Sequence, residues 1–245
     1  MKTLIKFSFS RFAESYDREA VLQKKAAQIL LDFAGKLGGK GLDIGCGTGF
    51  LVRLSEYKNI VGIDISEEMV RFYRKYNRKA VIGNMEELPF KERSFDFVLS
   101  NFSMHWADLN KTVSEVNRVL TEGGLFVFNI PVDGSMEFVE QLLESRKFDF
   151  PCTFDVLERL KEEEFIIEDF FIENIQKEFP DGYSLLVHLH RTGVAINPKN
   201  QSVGEKRKIV QKFKNYTNTA NLNFKLMFVC CKKHHRTIKE TRIFS

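Results

Sequence analysis

Nine residues, Gly41-Leu-Asp-Ile-Gly-Cys-Gly-Thr-Gly49, set one acid and three alternating glycines at the end of an apolar run, directly ahead of the helix-compatible stretch Phe50–Tyr57. Glycine takes positive φ without strain and lets backbone approach a bound molecule closely. A helix starting just past such a loop turns unpaired N–H groups toward a polar or charged ligand. The spacing sorts the ligand. A dinucleotide fingerprint requires a further glycine three positions past Gly47, where Phe50 stands, and a P-loop requires Gly-Lys-Ser/Thr, which is absent. For the loop alone, a plain glycine turn between strand and helix stays open, because such turns are often glycine-rich.

The elements that must position this loop follow it in order. Val61-Gly-Ile-Asp64 reads as a second short strand ending in an acid, about 20 residues past Asp43, where a ribose-binding carboxylate belongs. Ser66 caps a helix whose Met69, Val70 and Tyr73 fall at helical spacing, with Glu67 and Glu68 in its first turn. Ala80-Val-Ile82, the loop Gly83-Asn-Met-Glu-Glu-Leu-Pro-Phe90 and the run Ser94-Phe-Asp-Phe-Val-Leu-Ser-Asn101 continue the alternation.

This series resembles the cofactor site of the class I methyltransferases that use S-adenosylmethionine. The resemblance implies an α/β, Rossmann-like fold: a seven-stranded, mostly parallel sheet flanked by helices, with an N-terminal arm and C-terminal lid insertions. It places Asp43 at the cofactor's ammonium, with Gly45, Gly47 and Gly49 under its methionyl part. Asp64 and Ile65 fall at the ribose, Asn84 and Met85 at the adenine, and Asn101 at the reaction edge. One departure is Asn84, where the family usually has Asp; its amide oxygen can still accept from the adenine amino group.

Length and composition agree. With 245 residues and 43% hydrophobic content the chain suits one substantial core. It is read as a single domain over 1–245: an arm and helix (1–38), a cofactor half (39–130), a substrate-side half (131–231) and a basic tail (232–245). In the arm, Ala20, Leu22, Ala26, Ala27, Ile29, Leu30 and Phe33 give a helix with a broad apolar face, ended by Gly35, Gly38 and Gly39. The cofactor half closes with Val116–Leu120, a turn at Thr121–Gly124 and a strand over Leu125–Ile130. Beyond Pro131, helical stretches near 135–147 and 155–164 precede an apolar run at Phe165–Ile175. A Phe/Leu/His-rich segment around 179–196 suits part of a lid, and Asn223–Cys231 reads as a last strand.

Cys46, Cys152, Cys230 and Cys231 show no CxxC spacing and no zinc-type cluster, so they read as reduced thiols, a cytoplasmic location is expected and no metal is expected. No apolar run approaches 18 residues, and the start of the chain lacks a signal-type apolar region; neither secretion nor a membrane span is expected. The net charge of +4 resides formally in residues 232–245, with a second basic run at Lys206-Arg-Lys208, Lys212 and Lys214. These are either solvated surface or a docking face for an acidic partner.

The arm Phe7-Ser-Phe-Ser-Arg-Phe-Ala-Glu-Ser-Tyr-Asp17, followed by Val21-Leu-Gln-Lys24, resembles the N-terminus of the malonyl-acyl carrier protein O-methyltransferases of biotin synthesis. Ser100-Asn-Phe-Ser-Met-His-Trp106, Leu189–Ala195 and the segment from Tyr216 to Phe228 resemble further parts of that family. The resemblance implies methylation of the free carboxylate of a malonyl thioester on acyl carrier protein or coenzyme A, giving the ester that primes pimeloyl synthesis. A monomer with no membrane partner is expected, and nucleic acid is not an expected partner because the fourth strand ends in Ser-Asn-Phe-Ser, without a clamp for a flipped base. Tyr16 either packs the arm or, as the resemblance implies, lines the methyl-transfer chamber. His105 is a wall residue or a base, Trp106 core or substrate-facing. Arg191 and Arg11 are surface charges or hold an anionic group, since a guanidinium fork matches a carboxylate.

An ionised malonyl carboxylate needs no general base, so orientation and desolvation are the expected catalytic means. Methylation of a quinone, sterol or other metabolite would share everything from 40 to 130 and stands as the alternative.

Overall fold

The computed structural model describes residues 15–57, 59–144, 148–193 and 202–235. After a helical turn over 15–19 come helix α1 (Val21–Ala34), strand β1 (Gly41–Ile44), α2 (Phe50–Leu54), β2 (Ile60–Asp64), α3 (Glu67–Tyr73), β3 (Ala80–Ile82) and β4 (Phe95–Asn101). A 3-10 turn (Met104–Trp106) leads into α4 (Leu109–Val119) and β5 (Leu120–Pro131). The remainder is α5 (Glu137–Leu143), α6 (Thr153–Glu162), β6 (Phe165–Phe179), α7 (Gly182–Arg191), α8 (Val203–Asn215) and β7 (Ala220–Lys233).

The strands form one seven-stranded sheet in the order β3-β2-β1-β4-β5-β7-β6. The first five pair in parallel, and β7 runs antiparallel between β5 and β6. This is the expected mostly parallel architecture. The order reverses at β1 and β4, so the loops after their C-terminal ends diverge and leave the crevice in which such sheets bind ligands.

Alternation along the strands supplies the two cores. Leu42, Ile44, Val98, Phe126 and Phe128 face Val113 and Val116 of α4 and Val156 and Leu160 of α6, while Phe97, Leu99, Val127 and Phe228 face Ala26, Ala27 and Leu30 of α1. Full burial of a large apolar side chain contributes roughly 1.5–3 kcal/mol, so these layers dominate the helix docking. Ser66 caps α3 as its sequence predicts, its Oγ accepting from Met69 N at 3.3 Å. Gly35 ends α1 at φ 61°.

Several local expectations change. The stretch after Gly49 is helical only to Leu54. Thr121–Gly124 is no free turn between helix and strand: β5 begins at Leu120, opposite Phe95, the chain bulges, and pairing resumes at Phe97 with Leu125. Helix α5 covers less than the stretch read near 135–147, of which 145–147 lie outside the described residues. The apolar run from Phe165 is the first part of the 15-residue strand β6, which pairs with β7 along its length. The arm before Ser15, including Arg11, the lid residues past Gly193 and the tail past His235 lie outside the described residues.

Candidate active site

Four loops and the arm converge at the C-terminal ends of β1, β2, β3 and β4. They enclose a cavity of about 720 Å³, open mouth included, lined by Tyr16, Gly45, Gly47, Asp64, Ile65, Met69, Asn84, Met85, Asn101, Phe102, Ser103 and Trp106 among others.

The first loop needs glycine for two different reasons. Gly45 has φ +65°, and a Cβ there would stand 2.3 Å from Cβ of Ser103 and 2.5 Å from its Oγ. Gly47 has φ +52° but open space around it, the nearest atom being the Gly45 carbonyl oxygen at 4.0 Å. The first glycine therefore makes room for the loop after β4, and the second serves backbone conformation and approach from the cavity. Gly49, in the left-handed region as the cap of α2, is not among the cavity-lining residues.

Asp64 ties the loops together. Its Oδ2 accepts from Gly47 N at 3.0 Å and its Oδ1 from Ser66 N at 2.9 Å. Burial raises its pKa, partly offset by these backbone donors. A carboxylate offers about four acceptor sites, so capacity remains for a hydroxyl. Asp43 sits behind the lining, buried, and its Oδ2 has no hydrogen-bond partner among the described residues. Burial, reinforced by the nearby charge of Asp64, holds its carboxyl well above the ordinary range. The buried Thr48 hydroxyl is also unpartnered. An acid left without a donor beneath a glycine loop is what a cationic ammonium would complete, and S-adenosylmethionine carries one; the residues present fit that group.

The third loop is held from outside. Leu88 N donates to Oε2 of Glu115 at 2.6 Å, and Arg118 donates to the carbonyls of Phe90 and Leu88 at 2.7 and 2.9 Å. Asn84 lines the cavity, but its Oδ1 accepts from Glu86 N at 3.1 Å, so the oxygen assigned to adenine also closes its own turn. Met85 approaches the Gly45 side of the cavity.

Asn101 borders the cavity and is committed on both sides. Its Nδ2 donates to the Gln23 carbonyl at 3.0 Å and its Oδ1 accepts from Asn129 at 2.8 Å, joining β4 to α1 and β5. Tyr16 stacks on Phe50 at 6.2 Å, packs against Met69 and Phe72, and lines the cavity. Burial first, then the charges of Asp64 and Asp17, raise its phenol pKa, which keeps it protonated.

Trp106 lines the cavity; its neighbour His105 does not. The His105 ring lies among Phe102, Trp106 and Phe150, and burial lowers its pKa to about 3. It lies directly behind the lining residues Phe102 and Trp106, and its lowered pKa leaves it neutral there. Arg191 is also outside the lining: its guanidinium pairs with Glu19 at 3.1 Å and is 55% exposed. The charged residues that do line the cavity, among those described, are the acids Asp64 and Glu86.

Motif reading did not single out Ser103, whose Oγ donates to the Ile44 carbonyl at 3.1 Å and meets Ser100 Oγ at 2.6 Å, pinning β4's loop against β1. It lies inside the Ser100–Trp106 segment, whose residue types point to Asn101, His105 and Trp106 and not to a serine. Among the described residues no group of three or more His, Cys, Asp or Glu is placed to hold a metal, and no helix is long and apolar enough to cross a membrane.

The methyltransferase domain family matches residues 42–128. An uncharacterized protein of Methanocaldococcus jannaschii is 33% identical over 165 residues, covering 63% of this chain and 78% of that protein. The malonyl-[acyl-carrier protein] O-methyltransferase of Hamiltonella defensa is 32% identical over 146 residues, 57% of each chain. The chain thus spans little more than half the length of several curated relatives it matches. In solved structures, the geranyl diphosphate C-methyltransferase of Streptomyces coelicolor, crystallised with S-adenosyl-L-homocysteine, shares the fold at a TM-score of 0.54 and 17% identity, over 84% of this chain and 77% of that one.

Proposed function

We propose that the chain, whose residues 42–128 match the methyltransferase domain family, is an S-adenosylmethionine-dependent methyltransferase that methylates the free carboxylate of a malonyl thioester carried on acyl carrier protein or coenzyme A. The observation that carries the cofactor assignment is the unpartnered, buried Oδ2 of Asp43 beneath the glycine loop. The 32% identity to a malonyl-[acyl-carrier protein] O-methyltransferase supports the acceptor.

S-adenosylmethionine supplies an electrophilic methyl group on a sulfonium. In this reading Asp43 receives its ammonium, Asp64 its ribose hydroxyls and the loop of Asn84 and Met85 its adenine. Held there, it would supply its methyl group to a malonyl carboxylate oxygen, the sulfonium reverting to the neutral thioether of S-adenosylhomocysteine. The acceptor is already an anion, so the chain moves no proton. Tyr16, Phe102 and Trp106 exclude water and fix the line of approach, an orientation effect that contributes about 7 kcal/mol or more in well-aligned reactions.

Exposed Lys206, Arg207 and Lys208 on α8 suit docking of an acidic carrier. One observation favours a second reading, a neutral or cationic metabolite acceptor: the charged lining residues among those described are acids. The deciding experiment is methyl transfer from S-adenosylmethionine to malonyl-acyl carrier protein, with succinyl and acetyl forms as controls. Transfer to the malonyl form supports the carboxylate reading, and none above the acetyl control sinks it.

A further inference from the structure

We propose that Glu19 is a positioning residue that clasps the arm to α7 and thereby holds Tyr16 over the cofactor cavity. The inference rests on the reading of that cavity as the S-adenosylmethionine site.

The helical turn over 15–19 continues almost directly into α1, with Ala20 N bonded to the Tyr16 carbonyl at 2.8 Å, so Glu19 and Tyr16 move as one short unit. That unit reaches across more than 170 residues of sequence to α7. One oxygen of Glu19 meets Arg191 at 3.1 Å and the other lies 3.5 Å from Nδ1 of His188, while Ser15 Oγ donates to the Arg191 carbonyl at 3.0 Å. On the opposite side Asp17 pairs with Arg53 of α2. Burial alone would raise the Glu19 pKa, but the nearby His188 ring and the hydrogen-bonded Arg191 guanidinium outweigh it and bring it below the ordinary range.

The placement explains why Arg191, a plausible anion holder by type, stands outside the cavity: its charge is used on the arm. Tyr16 lies three residues upstream of Glu19 and covers the cavity from the arm side. Because Arg191 is half exposed, the clasp is weak, as a contact that must open for exchange of a bound molecule should be.

The test uses S-adenosyl-L-homocysteine as probe and the emission of Trp106, the sole tryptophan and a lining residue, as readout of dissociation in stopped flow. Glu19→Arg and Arg191→Glu should each speed dissociation by about 2- to 5-fold, the range set by a partly exposed ion pair. The double swap should return the rate toward wild type. In a Tyr16→Ala background, Glu19→Arg should add nothing further. If Glu19→Arg is unstable, Arg191→Ala serves in the same comparison. An unchanged rate in the single variants, a swap without rescue, or a full Glu19→Arg effect without Tyr16 would overturn the clasp. Failure of the wild-type protein to bind the probe would instead overturn the cofactor reading.

Discussion

The backbone N–H of Gly47 donates to Oδ2 of Asp64 at 3.0 Å, so the glycine loop after β1 is hydrogen-bonded to the acid that ends β2. The acid thus shapes the loop as well as facing the cavity. Asp64→Ala should weaken S-adenosylmethionine binding by about 1–3 kcal/mol, the scale of hydrogen bonds to a charged group. Asp64→Asn, which keeps one acceptor oxygen, should lose less. Calorimetry checks both, and unchanged affinity in the alanine variant would remove Asp64 from the site.

Asp43 gives a prediction of opposite signs for stability and binding. Its folded-state pKa is raised by burial and the nearby charge of Asp64, so between the ordinary and the folded value the native state holds a proton that the unfolded chain has released. Stability is then fully present below the ordinary Asp value and is lost as pH rises through the folded value. Asp43→Asn should raise the thermal midpoint of the ligand-free protein at neutral pH and flatten this decline. It should also abolish most of the midpoint increase produced by S-adenosylmethionine. A variant still stabilised as strongly as wild type by the cofactor would show that Asp43 does not meet the ammonium.

The two glycines should separate on substitution. At Gly45, alanine drives a methyl into Ser103, so Gly45→Ala should lower stability by more than the roughly 1–2 kcal/mol of left-handed strain alone. At Gly47, alanine meets only that strain. Gly47→Ala should fold and lose cofactor affinity through the space it takes from the cavity side. Chemical denaturation and calorimetry distinguish these, and equal stability losses would contradict the packing difference.

His105 should prove dispensable for chemistry and costly in acid. Its pKa is lowered by burial to about 3, so the unfolded chain takes up a proton below about 6.5 that the native state refuses. Stability is therefore lost as pH falls from that unfolded value toward about 3. His105→Phe, among the rings of Phe102, Trp106 and Phe150, should retain turnover and reduce the acid sensitivity. A loss of turnover of a hundredfold or more, the scale of general-base catalysis, would restore His105 to the reaction.

The parallel half of the sheet and the glycine loop with its two acids are legible in the order of residues alone. Those features are legible from local patterns: Asp-x-Gly-x-Gly-x-Gly, an acid ending the next short strand at Asp64 and the cap at Ser66, although the bond from Gly47 to Asp64 itself is made by the pairing of β1 with β2. The order of residues did not determine that Thr121–Gly124 bulges out of β5, because that depends on the register of β5 against Phe95 and Phe97. Nor did it distinguish His105 from Trp106, adjacent residues whose faces are decided by where the 3-10 turn packs against Phe102 and Phe150. The partnership of Glu19 with Arg191 and His188 was equally illegible. Both ends are ordinary charged residues, and only the docking of α7 beside the arm, through Leu185, Leu189 and Ala20 in a shared core, brings them together. Composition and spacing report what a segment does to its neighbours in sequence, whereas a side chain's free or committed charge is decided by burial and by partners that the fold alone supplies.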